Sequence, residues 1–273
     1  LRRRGLSRSL ALATAFPLVG ACVVACSSGD PPPPPWQLTW SDEFNGTALD
    51  TTKWSYDTGN MFGTQQLDVD TMDPTNVSVA GGLLSITARY DGQTYTSGRI
   101  ETQGHFSQKY GRFEARIQIP QGAGMWPAFW LLGTNYASVG WPQCGEIDVM
   151  ENHGSDPTTV VGSFHGPGAG GAEYLKTAGY QLPGGASFSA GFHTLAVEWE
   201  PGVVRWYADD ALYETQSSDL LPRTDTWVFD QPFFVILNLA VGGKFGAPDA
   251  TTVFPQTMRV DYVRVYARAG ESS

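Results

Sequence analysis

Polar and apolar residues alternate with a period of two in segment after segment of this chain, and a helical period is hardly to be found. Residues 83–89, 111–119, 193–199, 203–208, 233–239 and 258–266 are the clearest runs. Successive side chains on a strand point to opposite faces, so each run predicts a strand with one face on a core. Pro201-Gly202 and Asp209-Asp210 bracket one run as turns, Pro120 stops another, and the glycine-rich residues 166–171 read as a cleft loop. Many strands with evenly spaced turns predict an all-β fold, a jelly-roll sandwich of two antiparallel sheets.

Inside one apolar stretch stand three acids, in the run Glu146-Ile147-Asp148-Val149-Met150-Glu151. Residues two apart on a strand share a face at roughly 6.6 Å, so Glu146 and Asp148 point together while Ile147 and Val149 enter the core. Glu151 is out of phase. A β-bulge at Val149 or Met150 would return it to the acidic face. Cleavage of a glycosidic bond with retention needs two carboxyl groups about 5–5.5 Å apart, one a nucleophile and the other an acid and then a base. Crowded acids raise one another's pKa, which keeps one protonated near neutral pH. The reading assigns Glu146 as nucleophile, Glu151 as acid/base and Asp148 as the neighbour that tunes Glu146. Three acids can equally hold a hard cation or line a solvated edge.

The residues before the acids favour a sugar cleft. Trp126 and Trp130 in the run 124–132, followed by Trp141, offer flat apolar faces with an N–H to satisfy. Trp126 and Trp130 divide evenly between cleft and core on spacing alone, whereas Phe129, Leu131 and Leu132 read as core.

The chain opens with Arg2, Arg3, Arg4 and Arg8 before an apolar run, an export signal expected over residues 1–26. Sec and Tat routes both remain open. Cys22 and Cys26 each close a lipobox-like segment, with Cys26 preferred as the lipidation site because a Ser/Gly/Pro-rich tether, residues 27–35, follows it. Its five prolines would extend roughly 15 Å. Residues 36–268 read as one catalytic domain and 269–273 as a short tail. Cys144 is then the one cysteine of the folded part, a buried small residue that has no disulfide partner. Net charge is −10, and about −14 without the four leader arginines, which disfavours nucleic acid and anionic membranes as partners and suits a neutral polymer.

Taken in order, several motifs bear a resemblance to a known family. They are Trp40-Ser41-Asp42-Glu43-Phe44, Ser97-Gly98-Arg99-Ile100-Glu101-Thr102, the tryptophan run, the acid run, Asn238-Leu239-Ala240-Val241-Gly242-Gly243 and Asp261-Tyr262-Val263-Arg264-Val265-Tyr266. The chain resembles bacterial glycoside hydrolase family 16 enzymes of the laminarinase type over nearly all of residues 36–268. The resemblance implies a concanavalin A-like jelly roll with a concave cleft and endo-acting, retaining hydrolysis of β-1,3-glucan by an exported monomer that uses no catalytic cofactor. It implies the same roles for Glu146, Asp148 and Glu151, and substrate contacts from Asn60, Arg99, Trp126, Trp130, Trp141 and His165. Arg99 reads alternatively as an ion-pair partner of Glu101. A structural calcium ion is implied at Glu43, a carbonyl near Gly82 and Asp261. The resemblance breaks at residues 63–70, where aromatics give way to Val69 and Asp70, and at Phe245, where tryptophan is common. Mixed-linkage β-1,3-1,4-glucanase, β-1,3-galactanase and transglycosylase activities, and a glucan-binding module without catalysis, are the alternatives.

Overall fold

The computed structural model describes residues 35–60 and 62–269. The expected export leader, Cys26, the tether up to Pro34 and residues 270–273 of the tail lie outside the described residues.

Two sheets pack face to face, as the alternation predicts. The outer sheet runs in the order Ala211–Ser217, Val203–Ala208, His193–Glu200, Gly111–Gln118, Gln256–Arg268 and Leu83–Tyr90. Tyr95–Ser97 and Asp68–Asp70 continue its edge, while Trp36–Asp42 pairs with Gln256–Arg268 and Val77–Ala80 with Leu83–Tyr90. The inner sheet runs Glu173–Gln181, Thr159–Pro167, Glu146–Glu151, Met125–Gly133, Phe233–Val241, Arg99–Glu101 and Ser55–Tyr56. Pairing is antiparallel except between Asp68–Asp70 and Tyr95–Ser97, which run parallel. Among the described residues the α-helix is a single turn, Tyr136–Val139.

The core lies between the sheets. Phe113, Ala115 and Ile117 point inward from one sheet, and Phe129, Leu131, Val235 and Leu237 meet them from the other. Each fully buried large side chain of this kind stabilises by about 1.5–3 kcal/mol before chain entropy is counted. The opposite face of the outer sheet carries the polar half of the alternation. There Arg112 bridges Glu114 and Glu198, and Arg268 and Arg205 share Glu200. The hairpin turn between Val203–Ala208 and Ala211–Ser217 places Asp209 and Asp210 at φ of 47° and 64°, the left-handed pair that a two-residue hairpin needs.

Candidate active site

The acid strand has the bulge that its sequence calls for. Against Met125–Gly133, Asp148 pairs with Trp130 and Met150 with Phe129, leaving Val149 as the extra residue. Val149 and Met150 both enter the core, and Glu151 returns to the face of Glu146 and Asp148. Beneath the bulge, Trp206 of the outer sheet donates its indole N–H to the Asp148 carbonyl at 2.8 Å. Gly162 makes room for that indole, since a Cβ there would stand 2.4 Å from Trp206 Cδ1.

Above the strand opens a cleft of about 760 Å³. Each acid has its own partners. Glu146 accepts a hydrogen bond from Trp141 Nε1 at 3.0 Å, and Glu151 accepts one from Trp126 Nε1 at 2.9 Å. Asp148 Oδ2 lies 2.9 Å from His165 Nε2, whose Nδ1 faces Glu173 and whose Nε2 is 3.6 Å from Glu146. Burial opposes charge on His165, but the hydrogen bonds to Asp148 and Glu173 and the charges of Asp148 and Glu146 win and raise its pKa to about 10. His165 is therefore an imidazolium at neutral pH, and it stands where a cation shared by Glu146 and Asp148 would sit. Burial, with the charge of Asp148 second, pushes both Glu146 and Glu151 above the ordinary glutamate range. His165 opposes the rise at Glu146, and Lys244 opposes it at Glu151. Strongly coupled acids titrate as a set, so the cleft retains a shared proton into the neutral range.

The expected sugar-contacting residues fare differently. Arg99, Trp126, Trp130, Trp141 and His165 all line the cleft, with Trp141 44% exposed. Trp130 donates to Asn238 Oδ1 at 2.8 Å, and one face of its ring carries the Arg99 guanidinium, 4.9 Å from the centroid. That guanidinium also lies over Phe62, and its Nε sits 2.8 Å from Asp57 Oδ2. Asp57, not Glu101, is thus the close acid of Arg99. Asn60 is exposed on the adjoining loop and is not part of the cleft lining.

Phe129, Leu131 and Leu132 are buried as expected, Phe129 and Leu131 between the sheets and Leu132 in a smaller cluster with Cys144, Phe234 and Ile236. Leu132 shares the register of Trp126, Ala128 and Trp130, so with Phe234 it also forms part of the cleft floor. Cys144 is buried and unpaired, its thiol pushed up to about 11 by burial and the charge of Glu146, so it is no nucleophile. Glu173 and Lys244 join the cleft without any local signal in the sequence.

The carboxylates expected to hold calcium are paired with arginines. Arg264 binds both oxygens of Glu43, at 2.9 and 2.8 Å, and Arg116 pairs with Asp261. Gly82 lies in the turn beside Asn45, and each expected carboxylate already faces an arginine.

A concave sheet that holds three carboxylates among indoles is the cleft of a carbohydrate-cleaving enzyme of the jelly-roll class. The profile of glycosyl hydrolases family 16 matches residues 52–264, and the chain belongs to that family. It is 41% identical over 271 residues to a beta-glucanase of Rhodothermus marinus, covering 91% of each protein. Its fold is similar to the laminarinase catalytic domain of Thermotoga maritima, with 45% identity, a TM-score of 0.79 and coverage of 86% of this chain and 99% of that one. An endo-1,3-beta-glucanase catalytic domain of Thermotoga petrophila matches with 44% identity and a TM-score of 0.80, over 87% of this chain and 100% of the other.

Proposed function

We propose that this protein is a retaining endo-β-1,3-glucanase in which Glu146 is the nucleophile, Glu151 the acid/base and Asp148 the neighbour that orders Glu146. The observation that carries the reading is the bulge, which puts both glutamates on one cleft face with Asp148 between them. In the first half of the reaction a Glu146 oxygen bonds to the anomeric carbon, the glycosidic C–O bond breaks, and Glu151 gives its proton to the departing oxygen. Glu151, now a carboxylate, takes a proton from water as that water attacks the anomeric carbon and frees Glu146. Asp148 and the His165 imidazolium hold a fixed charge pattern beside the nucleophile. The glucanase and laminarinase names of the relatives support the polymer, and the net negative charge suits a neutral one. Linkage preference belongs to the loop that departs from the family pattern, because Gly63, Thr64, Gln65 and Gln66 line the cleft. Residues 1–26 support export, and Cys26 supports a lipid anchor.

The test is the product distribution of residues 36–273 on laminarin, barley mixed-linkage glucan and β-1,3-galactan at early times. Internal release of short laminari-oligosaccharides supports the reading, and products from another polymer alone would overturn the substrate. Glu146→Gln should abolish turnover and preserve binding, with azide restoring an α-configured product. Glu151→Gln should lose far more activity on glucan than on an aryl glycoside with a good leaving group, which needs little acid help.

A further inference from the structure

Lys244 has no part in the steps above, yet its ammonium rests on the proton-transfer residue. Nζ lies 3.0 Å from Glu151 Oε1, the same oxygen that Trp126 Nε1 holds. Lys244 sits on the tight turn Gly243–Phe245, between Gly242 and Gly246 at φ of 86° and 88°. The turn presses on Trp126, because a Cβ at Gly243 would come within 2.7 Å of the indole. The ammonium lies 5.0 Å from the Trp126 ring centroid and 5.2 Å from that of Phe245, and Phe245 stacks on His153. The Lys244 side chain is 46% exposed and that of Glu151 only 6%. A well-exposed lysine thus covers a cleft carboxylate that is itself almost wholly buried.

Resting on Glu151 as the acid/base, we infer that Lys244 is a positioning residue that acts as a displaceable counter-ion. Its ammonium lowers the proton affinity of Glu151 in the empty cleft, and a sugar seated against Trp126 pushes it aside, so that Glu151 more readily takes a proton from solvent and delivers it to the departing oxygen. The other charged groups that act on Glu151 are Asp148 and, more weakly, Glu146, both on its own strand and both opposing ionisation. Of the two neighbouring strands, Met125–Gly133 offers the neutral Trp126 indole, and Thr159–Pro167 carries His165, whose contacts are with Asp148 and Glu146 rather than Glu151. Lys244 is therefore the one cation among the described residues in direct contact with Glu151. The Glu151 ion pair in turn favours the charged form of Lys244.

The deciding experiment is the pH profile of kcat/KM for Lys244→Met. The alkaline limb reports the free-enzyme acid. Removing a cation in contact raises the pKa of that acid by about one unit or more, so the limb on laminarin should move up by that amount. Lys244→Arg keeps the charge and should leave the limb at the wild-type position. On an aryl laminaribioside with a good leaving group the limb should not move. A Lys244→Met enzyme with wild-type melting and an unmoved limb on laminarin overturns the inference. Lys244→Gln gives the same reading should the methionine variant fold poorly. If Glu151→Gln loses activity equally on glucan and aryl glycoside, the acid/base assignment falls and takes the counter-ion role with it. If Glu151→Gln behaves as expected and the limb is still unmoved, only the counter-ion role falls.

Discussion

Replacing Asp70 with asparagine should make this protein more stable in mild alkali. Asp68 and Asp70 share one face of a three-residue strand and are almost wholly buried. Gln66 Nε2 donates to both, at 3.3 and 3.1 Å, and the Val241 N–H donates to Asp68 at 2.7 Å. Asp70 Oδ1 is buried without a hydrogen-bond partner, as expected of an oxygen that carries a proton toward its neighbour. Burial raises Asp68 to about 6 and Asp70 to about 8, the latter with help from the Asp68 charge. The unfolded chain releases the same protons near pH 4. Between these values the folded state binds more protons, so the pair contributes its full stability below pH 4 and loses it as pH climbs toward 8. One proton is worth about 1.4 kcal/mol per pH unit, so from pH 5 to pH 8 Asp70 alone removes up to about 4 kcal/mol. Asparagine has the same shape, donates to Asp68, accepts from Gln66 and does not titrate. In a domain of this size 1 kcal/mol moves Tm by about 2–4 °C. Relative to wild type, Asp70→Asn should therefore gain on the order of 5–15 °C at pH 8 over its difference at pH 5. Thermal unfolding at the two pH values measures this double difference, in which Glu146, Glu151 and His165 cancel. Parallel pH dependence in the two proteins would refute a proton-sharing pair.

Two further predictions concern the acid strand. Trp206→Phe strips the Asp148 carbonyl of its indole donor and should cost about 1–3 kcal/mol in urea unfolding, with a larger fractional loss in kcat than in substrate binding because the bulge loosens. Unchanged stability would mean the indole does not anchor the bulge. His165→Gln removes the imidazolium that opposes the raised pKa of Glu146, so the acid limb of kcat/KM should move to higher pH; a limb that stays put or falls would contradict the charge pattern derived for the cleft.

Local pattern carried the strands and the bulge far, because alternation and phase are short-range properties. Glu151 is out of step with Asp148 by one residue, and a one-residue insertion is the local remedy the backbone has. Leu132 answers to two signals at once. Its hydropathy buries it beside Cys144, Phe234 and Ile236, and its phase with Trp126 and Trp130 sets it on the cleft face. Lys244 reaches Glu151 from a tight turn and Glu173 reaches His165 from a strand two removed from the acids, and no window of sequence joins either to residues 146–151. The calcium expectation met the same limit. Glu43 and Asp261 look available in the sequence, and only the pairing of Trp36–Asp42 with Gln256–Arg268 brings Arg264 to Glu43. The segment around Asp70 reads as a loss of aromatics, whereas folding turns it into a buried pair of acids.

The pairing of the first described strand with the last has a mechanical consequence. Trp36 lies opposite Arg268, so both ends of the paired strands leave at the same corner of the outer sheet, which is not the sheet that bears the cleft. Hydrogen bonds in an antiparallel pair lie perpendicular to the strands. Tension between these two ends would therefore load the bonds one at a time and unzip the seam from Trp36 inward, while a pull on Trp36 alone toward the far end of the strand would load them all together. The direction of strain, more than the number of bonds, decides how well this seam resists force.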